Sequence, residues 1–247
     1  MMGAEPKAVV YSGTENLYGY MEASAKSVVA NSDVDEVHFL IEDDKFPRTL
    51  PDIVSTRNVS KQKFFSPNTC ANWNTTFTYM SLLRVCYTYL FPDKGRILQL
   101  DCDTIAVDDI SSLWDVEFGG TLFAAVEEHI STFKPYGDPY YNIGVALFNL
   151  KGMKAHGADE KLVQLLNEKK LKYIDQDAWN FLYMNQATWL DVRYNESYAT
   201  GFTDNPAIVH YAGFKHWWDS PKMPRREYLR KYMDMSWKEA LELHERR

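Results

Sequence analysis

Two aspartates separated by one residue, Asp101 and Asp103, are the residues of this sequence best suited to chemistry. They follow a short apolar run that begins at Ile97, so the sequence predicts a strand that ends in two carboxylates. Because strand side chains alternate between faces, both carboxylates point one way and Cys102 points the other. Carboxylate oxygens suit Mg²⁺ or Mn²⁺. For an isolated Asp-x-Asp, however, a turn or a helix N-terminus is the favoured interpretation.

The elements that must position this pair alternate between strands and helices, which predicts an α/β fold with a mainly parallel central sheet. Strands are expected at residues 8–11, 36–41, 96–100, 121–126, 144–150 and 207–211, and helices at 18–29, 75–90, 159–169, 176–184 and 237–244. Ligands of such sheets gather at the carboxyl ends of strands, so Glu15 is expected near Asp101 and Asp103. Without repeats or linkers, residues 1–247 are expected to form one domain, with a helical tail from about residue 219.

Composition and charge exclude several classes of function. The chain of 247 residues has a net charge of −7 and no long basic run, so we expect no nucleic-acid partner. No stretch approaches the about 20 apolar residues of a membrane span, and the N-terminus lacks the layout of a signal peptide. The three scattered cysteines argue against a zinc site or a disulfide framework, which makes the cytoplasm the expected location.

The loop after the first strand does not supply a phosphate site. Residues 12–18 do not match G-x-G-x-x-G, and the chain contains no Walker A motif. A nucleotide diphosphate bound here would therefore need another positive charge, which a metal ion on Asp101 and Asp103 would provide.

From Val9 to about Trp218 the chain resembles glycosyltransferase family 8, the group that contains glycogenin and the bacterial lipooligosaccharide galactosyltransferases. The resemblance rests on an ordered set of motifs, namely the first loop ending in Tyr18, Tyr79-Met80-Ser81-Leu82-Leu83-Arg84, Leu98-Gln99-Leu100-Asp101-Cys102-Asp103, Tyr141-Asn142-Ile143-Gly144-Val145, Ile174-Asp175-Gln176-Asp177 and His210-Tyr211-Ala212-Gly213. It implies a Rossmann-like nucleotide-sugar-binding domain of the glycosyltransferase A type.

The resemblance also implies an activity, the retaining transfer of a hexose from a UDP-sugar to a saccharide, glycolipid or protein acceptor. Galactose and glucose are the leading donor sugars, and nothing in the sequence decides between a monomer and an oligomer. Asp101, Asp103 and His210 are the implied metal ligands, and an imidazole ligand favours Mn²⁺ over Mg²⁺. By itself, His210 is more typical of a buried structural histidine.

Roles for other residues follow from the same resemblance. Asp175 and Gln176 face the reacting side of the donor sugar, although acids there also suit a helix start. Contacts to the nucleotide sugar are implied for Gly13, Thr14, Glu15, Tyr18, Arg84, Asp101, Cys102, Glu127 (or its neighbour Glu128), Asn142, Gly213 and Lys215. Tyr18 would stack on uracil or pack its helix, and Glu15 would bind the base or be a solvated loop residue. Lys215 would support the leaving diphosphate, but its spacing from Gly213 is shorter than in the family.

The same residues bear on the mechanism of transfer and on two alternative classes of protein. Since Gln176 is a poor nucleophile, front-face attack by the acceptor is favoured over double displacement. A metal-dependent nucleotidyl- or phosphoryltransferase would also use paired carboxylates, but it requires a basic or glycine-rich first loop. A non-catalytic sugar-binding module would suit the 16 Tyr and 7 Trp, yet it has no need for Asp101, Asp103 and His210 together.

Overall fold

The computed structural model describes residues 5–75, 77–130, 134, 136–212 and 224–247. The strands of this part are β1 (Ala8–Ser12), β2 (Glu36–Ile41), β3 (Val54–Asn58), β4 (Arg96–Leu100), β5 (Thr104–Ala106), β6 (Phe123–Glu127), β7 (Tyr141–Asn149), β8 (Ala187–Trp189) and β9 (Ile208–His210). The α-helices are α1 (Tyr18–Asn31), α2 (Tyr87–Leu90), α3 (Leu150–His156), α4 (Ala158–Glu168), α5 (Ile174–Tyr183), α6 (Arg226–Asp234) and α7 (Trp237–His244).

Seven of the described strands form one sheet in the order β3-β2-β1-β4-β7-β6-β8, and β5 pairs separately with β9. Within the seven-stranded sheet, only β7 runs antiparallel to its neighbours, β4 and β6, while the other pairings are parallel. The predicted mainly parallel α/β fold is therefore confirmed. Alternate residues of β1 face two different core clusters, with Val9 and Tyr11 in one and Ala8 and Val10 in the other. Burial of both faces explains why this strand is continuously apolar.

The predicted helix over residues 75–90 is wrong. The chain instead forms a 3₁₀ segment, Tyr79–Val85, followed by the short helix α2. Four consecutive residues of the segment, Met80 to Leu83, are buried, so the segment has no solvent face of the kind an amphipathic helix requires. Aromatic and β-branched residues before and within α2 also have low helix propensity.

Three strands of the structure, β3, β5 and β8, were not predicted from the sequence. Strand β3 lies at the edge of the sheet and exposes four of its five residues, which gives it little apolar signal. Strands β5 and β8 have three residues each, too few to show a period.

Helix α4 fixes the segment that precedes β4. Asp159, in the first turn of α4, accepts hydrogen bonds from the backbone amide of Thr88 at 2.9 Å and from its hydroxyl at 2.8 Å. Burial raises the pKa of Asp159 to about 6, against the opposing effect of these hydrogen bonds. The residues around α2, which include Arg84 of the 3₁₀ segment, are thereby tied to the helical layer.

Helix α1 is packed between the sheet and the helices at the C-terminal end, since both α6 and α7 contact it. Helix α7 begins with a capping box, in which the Ser236 hydroxyl accepts the Glu239 amide and the Glu239 carboxylate accepts the Ser236 amide. The capping box stabilises the first turn of α7, which packs on α1.

Candidate metal centre and the cavity around it

Two aspartates and a histidine meet beyond the carboxyl end of β4. Asp101 and Asp103 belong to a turn, in which the amide and the hydroxyl of Thr104 both donate to the carbonyl of Asp101. Strand β4 ends at Leu100, as predicted, and the pair lies in the turn that follows, which leads the chain out of the large sheet into β5. The side-chain alternation expected of a strand therefore does not extend to the two aspartates. His210 joins the pair because β9 runs antiparallel to β5, with His210 opposite Thr104.

The three side chains can hold a metal ion. One ligand atom from each lies within 4.8 Å of the others. The Nε2 atom of His210 lies 3.3 Å from Asp103 Oδ1 and 3.6 Å from Asp101 Oδ2. Two carboxylates and one imidazole are a donor set that divalent transition-metal ions accept. The chemistry of these donors therefore fits a divalent cation.

Gly144, on β7, leaves the space in which these ligands meet. A Cβ atom on Gly144 would lie 2.1 Å from His210 Cε1 and 2.9 Å from Asp101 Oδ2. Non-bonded carbon atoms lie about 3.5–4.0 Å apart at their optimal separation, so any side chain here would displace the imidazole. The carbonyl of Gly144 also accepts the amide of Asp101 at 2.7 Å. The position thus requires glycine because two ligands approach the backbone closely.

The charges of His210 and of the two aspartates influence one another. Burial acts to lower the pKa of His210, but the carboxylates of Asp103 and Asp101 outweigh it and raise that pKa. Burial acts to raise the pKa of Asp103, but the neighbouring imidazole lowers it below its usual value. The histidine and Asp103 therefore stabilise each other's charged forms, and a cation at Nε2 would take over the role of the proton.

Arg84 connects the metal centre to α5. Its Nη2 lies 2.6 Å from Asp101 Oδ1, and its Nη1 lies 3.4 Å from Asp175 Oδ2. Burial acts to lower the pKa of Arg84, but these two carboxylates raise it. Burial raises the pKa of Asp175 to about 6, while Arg84 opposes the rise. Just before Asp175, Ile174 has a φ of 43°, a left-handed conformation that β-branched residues rarely adopt.

A chain of buried amides and a carboxylate runs from His210 to Gln176. The Nδ1 atom of His210 lies 2.8 Å from Asn195 Oδ1, and Asn195 Nδ2 donates to Asn142 Oδ1 at 2.9 Å. Asn142 Nδ2 and Gln176 Nε2 both donate to Glu128 Oε1, at 2.8 and 3.0 Å. Burial raises the pKa of Glu128, and these two hydrogen bonds oppose the rise. The chain joins the metal centre to the first turn of α5.

A cavity of about 250 Å³ lies over the metal centre and this chain. Its polar residues include Asp101, Asp103 and Gln176, and its walls include the aromatic rings of Phe77 and Tyr198. Phe77 and Asp101 also line two neighbouring cavities. One extends towards the first loop and the other towards α5, so three adjoining cavities meet around Asp101.

Most of the residues predicted for the site line these cavities. The residues brought together are Arg84, Asp101, Cys102, Asp103, Asn142, Asp175, Gln176 and His210. They come from the 3₁₀ segment, the turn after β4, β7, α5 and β9. Predicted residues Gly213 and Lys215 lie outside the described residues.

The first loop places its predicted residues differently. Tyr18 is 2% exposed, its ring packs on Phe46 at 5.0 Å, and its hydroxyl donates to Asp43, so the structure gives it helix-packing surroundings. Glu15 is exposed and does not line the three cavities.

The other two predicted residues of this loop also make contacts within the protein. A Cβ atom on Gly13 would lie 2.7 Å from Met21 Sδ, so this glycine packs closely on α1. The Thr14 hydroxyl donates to Asn16 Oδ1 at 2.6 Å. Of the loop residues, Asn16 and Leu17 line the cavity next to Arg84.

The structure also separates Glu127 from Glu128. Glu127 pairs with Lys134 at 2.9 Å, whereas Glu128 is 2% exposed and lines the cavity over the metal centre. A register irregularity between Ala125 and Val126 shifts which residues of β6 lie opposite β7. Strand β6 ends at Glu127 and Glu128 lies beyond it, so strand alternation in the sequence does not decide which of the two acids faces the cavity.

Asn195 and Tyr198 are among the residues of the site that the sequence does not predict. Asn195 carries only a glycosylation-type signal in the sequence, and Tyr198 only its aromatic character. Both enter the site through the bridge between Glu196 and Val209, a pairing that no local pattern shows.

Comparison with known proteins decides the family. The model of glycosyl transferase family 8 matches residues 8–220 of the 247. The chain belongs to this family. The resemblance noted in the sequence is thereby confirmed, and the sugar-transferase class is supported over the nucleotidyltransferase and the binding module.

Curated relatives agree with the family assignment. The chain is 25% identical over 244 residues to glycosyltransferase GlyB of Streptococcus pneumoniae, covering 85% of this chain and 57% of that protein. It is 26% identical over 208 residues to a lipopolysaccharide 1,2-glucosyltransferase of Escherichia coli, covering 70% of this chain and 60% of the relative. The chain thus spans about three fifths of the length of these two relatives.

A solved structure confirms the fold type. The galactosyltransferase LgtC, crystallised with donor and acceptor sugar analogues, superposes with a TM-score of 0.77 at 19% identity, over 92% of this chain and 95% of that one. The expected glycosyltransferase A type architecture is therefore present. Among the described residues of this family 8 chain, every helix is too short or too polar to span a bilayer.

Proposed function

We propose that the chain is a retaining hexosyltransferase that uses a UDP-sugar donor and a divalent cation, with Mn²⁺ preferred. The observation that carries the proposal is the cluster of Asp101, Asp103 and His210 at the cavity of a glycosyltransferase family 8 fold. Glucose and galactose are the proposed donor sugars, and the name of the E. coli glucosyltransferase supports the first. The acceptor is a saccharide, a glycolipid or a protein.

The metal centre suits the departure of a diphosphate. A divalent cation bound there supplies positive charge where the leaving group becomes negative. Arg84, whose side chain is 13% exposed, adds a second positive charge beside Asp101 and lines two of the cavities. Both charges favour a transition state in which negative charge moves onto the phosphate oxygen.

Glu128 is suited to bind the donor sugar. Its Oε1 accepts from Asn142 and Gln176, while its buried Oε2 has no hydrogen-bond partner among the described residues. A buried oxygen without a partner costs about 1–3 kcal/mol, and a sugar hydroxyl donating to it would remove that cost. We therefore assign the sugar-binding carboxylate to Glu128 in preference to Glu127.

The surroundings of Gln176 favour front-face attack. Its Oε1 accepts the amide of Ile143 at 3.2 Å, and its Nε2 donates to Glu128 at 3.0 Å. An amide held at both ends orients a substrate well but is a poor covalent nucleophile. Asp175, the neighbouring carboxylate, is engaged by Arg84. The acceptor would then attack from the side that the diphosphate leaves.

Detection of released UDP tests the proposal. A panel of UDP-sugars is incubated with the protein and either Mn²⁺ or a chelator, and UDP is measured by a coupled luminescent reaction. We expect release from UDP-glucose or UDP-galactose that requires the cation and is lost in Asp103→Asn. Asp93→Asn, at an exposed aspartate outside the site, is the matched control and should retain activity. Absence of release with every sugar, or equal release with the chelator, would contradict the proposal.

A further inference from the structure

Asn195 is a buried amide that contacts a proposed metal ligand without belonging to the ligand set. Its side chain lies between His210 and Asn142, and the residue is 0% exposed. It accepts at Oδ1 from the histidine side and donates at Nδ2 to the asparagine side. Each polar atom of this side chain is therefore used within the site.

The direction of these hydrogen bonds is fixed by the backbone. The amide of Gly144 donates to Asn142 Oδ1 at 3.0 Å, and a backbone N–H can only donate. At the other end, the Nδ2 group of Asn142 faces the Glu128 carboxylate, and this carboxylate also accepts from Gln176. The Asn142 oxygen must therefore be the atom that faces Asn195.

The hydrogen-bond direction set at Asn142 also determines the direction at His210. Since Asn142 presents an oxygen, Asn195 must present its NH₂ group to it, and its own oxygen then faces the imidazole. An amide oxygen can only accept, so the Nδ1 atom of His210 must carry the hydrogen. In the neutral ring the lone pair is then on Nε2, the atom that faces Asp101 and Asp103.

We propose that Asn195 is a positioning residue of the metal centre, which fixes the tautomer and the ring orientation of His210 so that Nε2 is available to a cation. The proposal rests on the metal-dependent function proposed above. It assigns to an amide the task that second-layer partners of histidine ligands perform in metal sites. Gly144 and Glu128 fix the orientation of the Asn142 amide. Asn142 in turn orients Asn195, which orients the His210 ring.

Metal binding by a variant tests this role. Asn195→Leu keeps the approximate volume but removes both hydrogen bonds. Asn72→Leu is the matched control, because Asn72 is also 0% exposed and bonds only to the backbone of Leu166, Lys169 and Leu171. Mn²⁺ binding is measured by electron paramagnetic resonance of the free ion, on protein shown to be folded by circular dichroism. We expect Asn195→Leu to weaken Mn²⁺ binding by about 10–100-fold and Asn72→Leu to leave it unchanged.

Two results of that comparison would overturn the proposal. One is wild-type affinity in Asn195→Leu, and the other is an equal loss in both variants, which would indicate a general effect of destabilisation. If the wild-type protein itself fails to bind Mn²⁺, the proposed function is contradicted instead.

A measurement on the wild-type protein decides the point even if Asn195→Leu does not fold. Long-range ¹H–¹⁵N correlation spectra of protein labelled at histidine distinguish the two neutral tautomers, and His210→Gln assigns the signal. At a pH at which the ring is neutral and without metal, we expect the hydrogen of His210 on Nδ1. A spectrum with the hydrogen on Nε2 would overturn the proposal, whether or not the protein transfers sugars.

Discussion

The most informative single perturbation of this site is Gly144→Ala, which adds one methyl group between two proposed metal ligands. The added carbon would lie 2.1 Å from His210 Cε1. To restore a contact of about 3.5 Å, the imidazole must move by about 1.4 Å. Metal–ligand distances tolerate only about 0.2 Å, so such a movement takes Nε2 out of coordination range.

The same movement has a cost for the fold. His210 is 4% exposed and is held by Asn195 at 2.8 Å, so the ring cannot turn aside into solvent. Overpacking of a buried site costs about 1–3 kcal/mol. For a chain of this size, each kcal/mol lowers the melting temperature by about 2–4 °C. We therefore expect Gly144→Ala to melt below the wild type and to bind Mn²⁺ at least about tenfold more weakly.

Differential scanning fluorimetry with and without Mn²⁺, together with calorimetric titration of the ion, measures both effects. Gly19→Ala is the matched control, because its Cβ atom would meet nothing closer than 3.7 Å. This change lies in α1, where alanine is favoured over glycine by up to about 1 kcal/mol, so it should melt at or above the wild-type temperature and bind the ion normally. A Gly144→Ala protein with wild-type affinity would refute the reasoning.

Three further predictions concern charge and capping. Arg84→Leu leaves Asp101 without its buried partner and should lower the free energy of unfolding by about 3–5 kcal/mol in urea titrations; a change below about 1 kcal/mol would contradict the assigned ion pairs. Asp159→Asn removes a carboxyl group. Burial raises the pKa of this group from 3.8 to about 6. Because the folded wild type binds this proton more tightly than the unfolded chain does, wild-type stability falls as the pH rises from about 4 to about 6, whereas the variant lacks this pH dependence. The stability of the variant relative to the wild type should therefore be up to about 3 kcal/mol higher above this range than below it; a stability difference that does not change with pH would argue against this. Ser236→Ala removes the cap of α7 and should cost about 1 kcal/mol by thermal denaturation, with Glu239→Gln costing less, and equal stability of Ser236→Ala and wild type would exclude the cap as a contributor.

Local sequence predicted the elements with strong apolar signals. Strands β2 and β4 occupy the predicted residues 36–41 and 96–100, and α7 occupies 237–244. The helix predicted over residues 75–90 is wrong because this segment is packed on several sides. It therefore lacks the one-sided apolar pattern of an amphipathic helix. The edge strand β3 is not predicted from the sequence because its solvent-facing residues carry little apolar signal.

The sequence by itself determined the residue types of the site and their order, and hence the family. Asp101 and Asp103 are recognisable because they are neighbours in the chain, and His210 because it follows in an ordered set of motifs. Only the tertiary structure decided that Glu128 faces the cavity, that Gly144 makes room for two ligands and that Asn195 orients the histidine. Each of these depends on strand register and on contacts between distant segments, and hydrogen-bond direction and steric clearance exist only once those segments are packed.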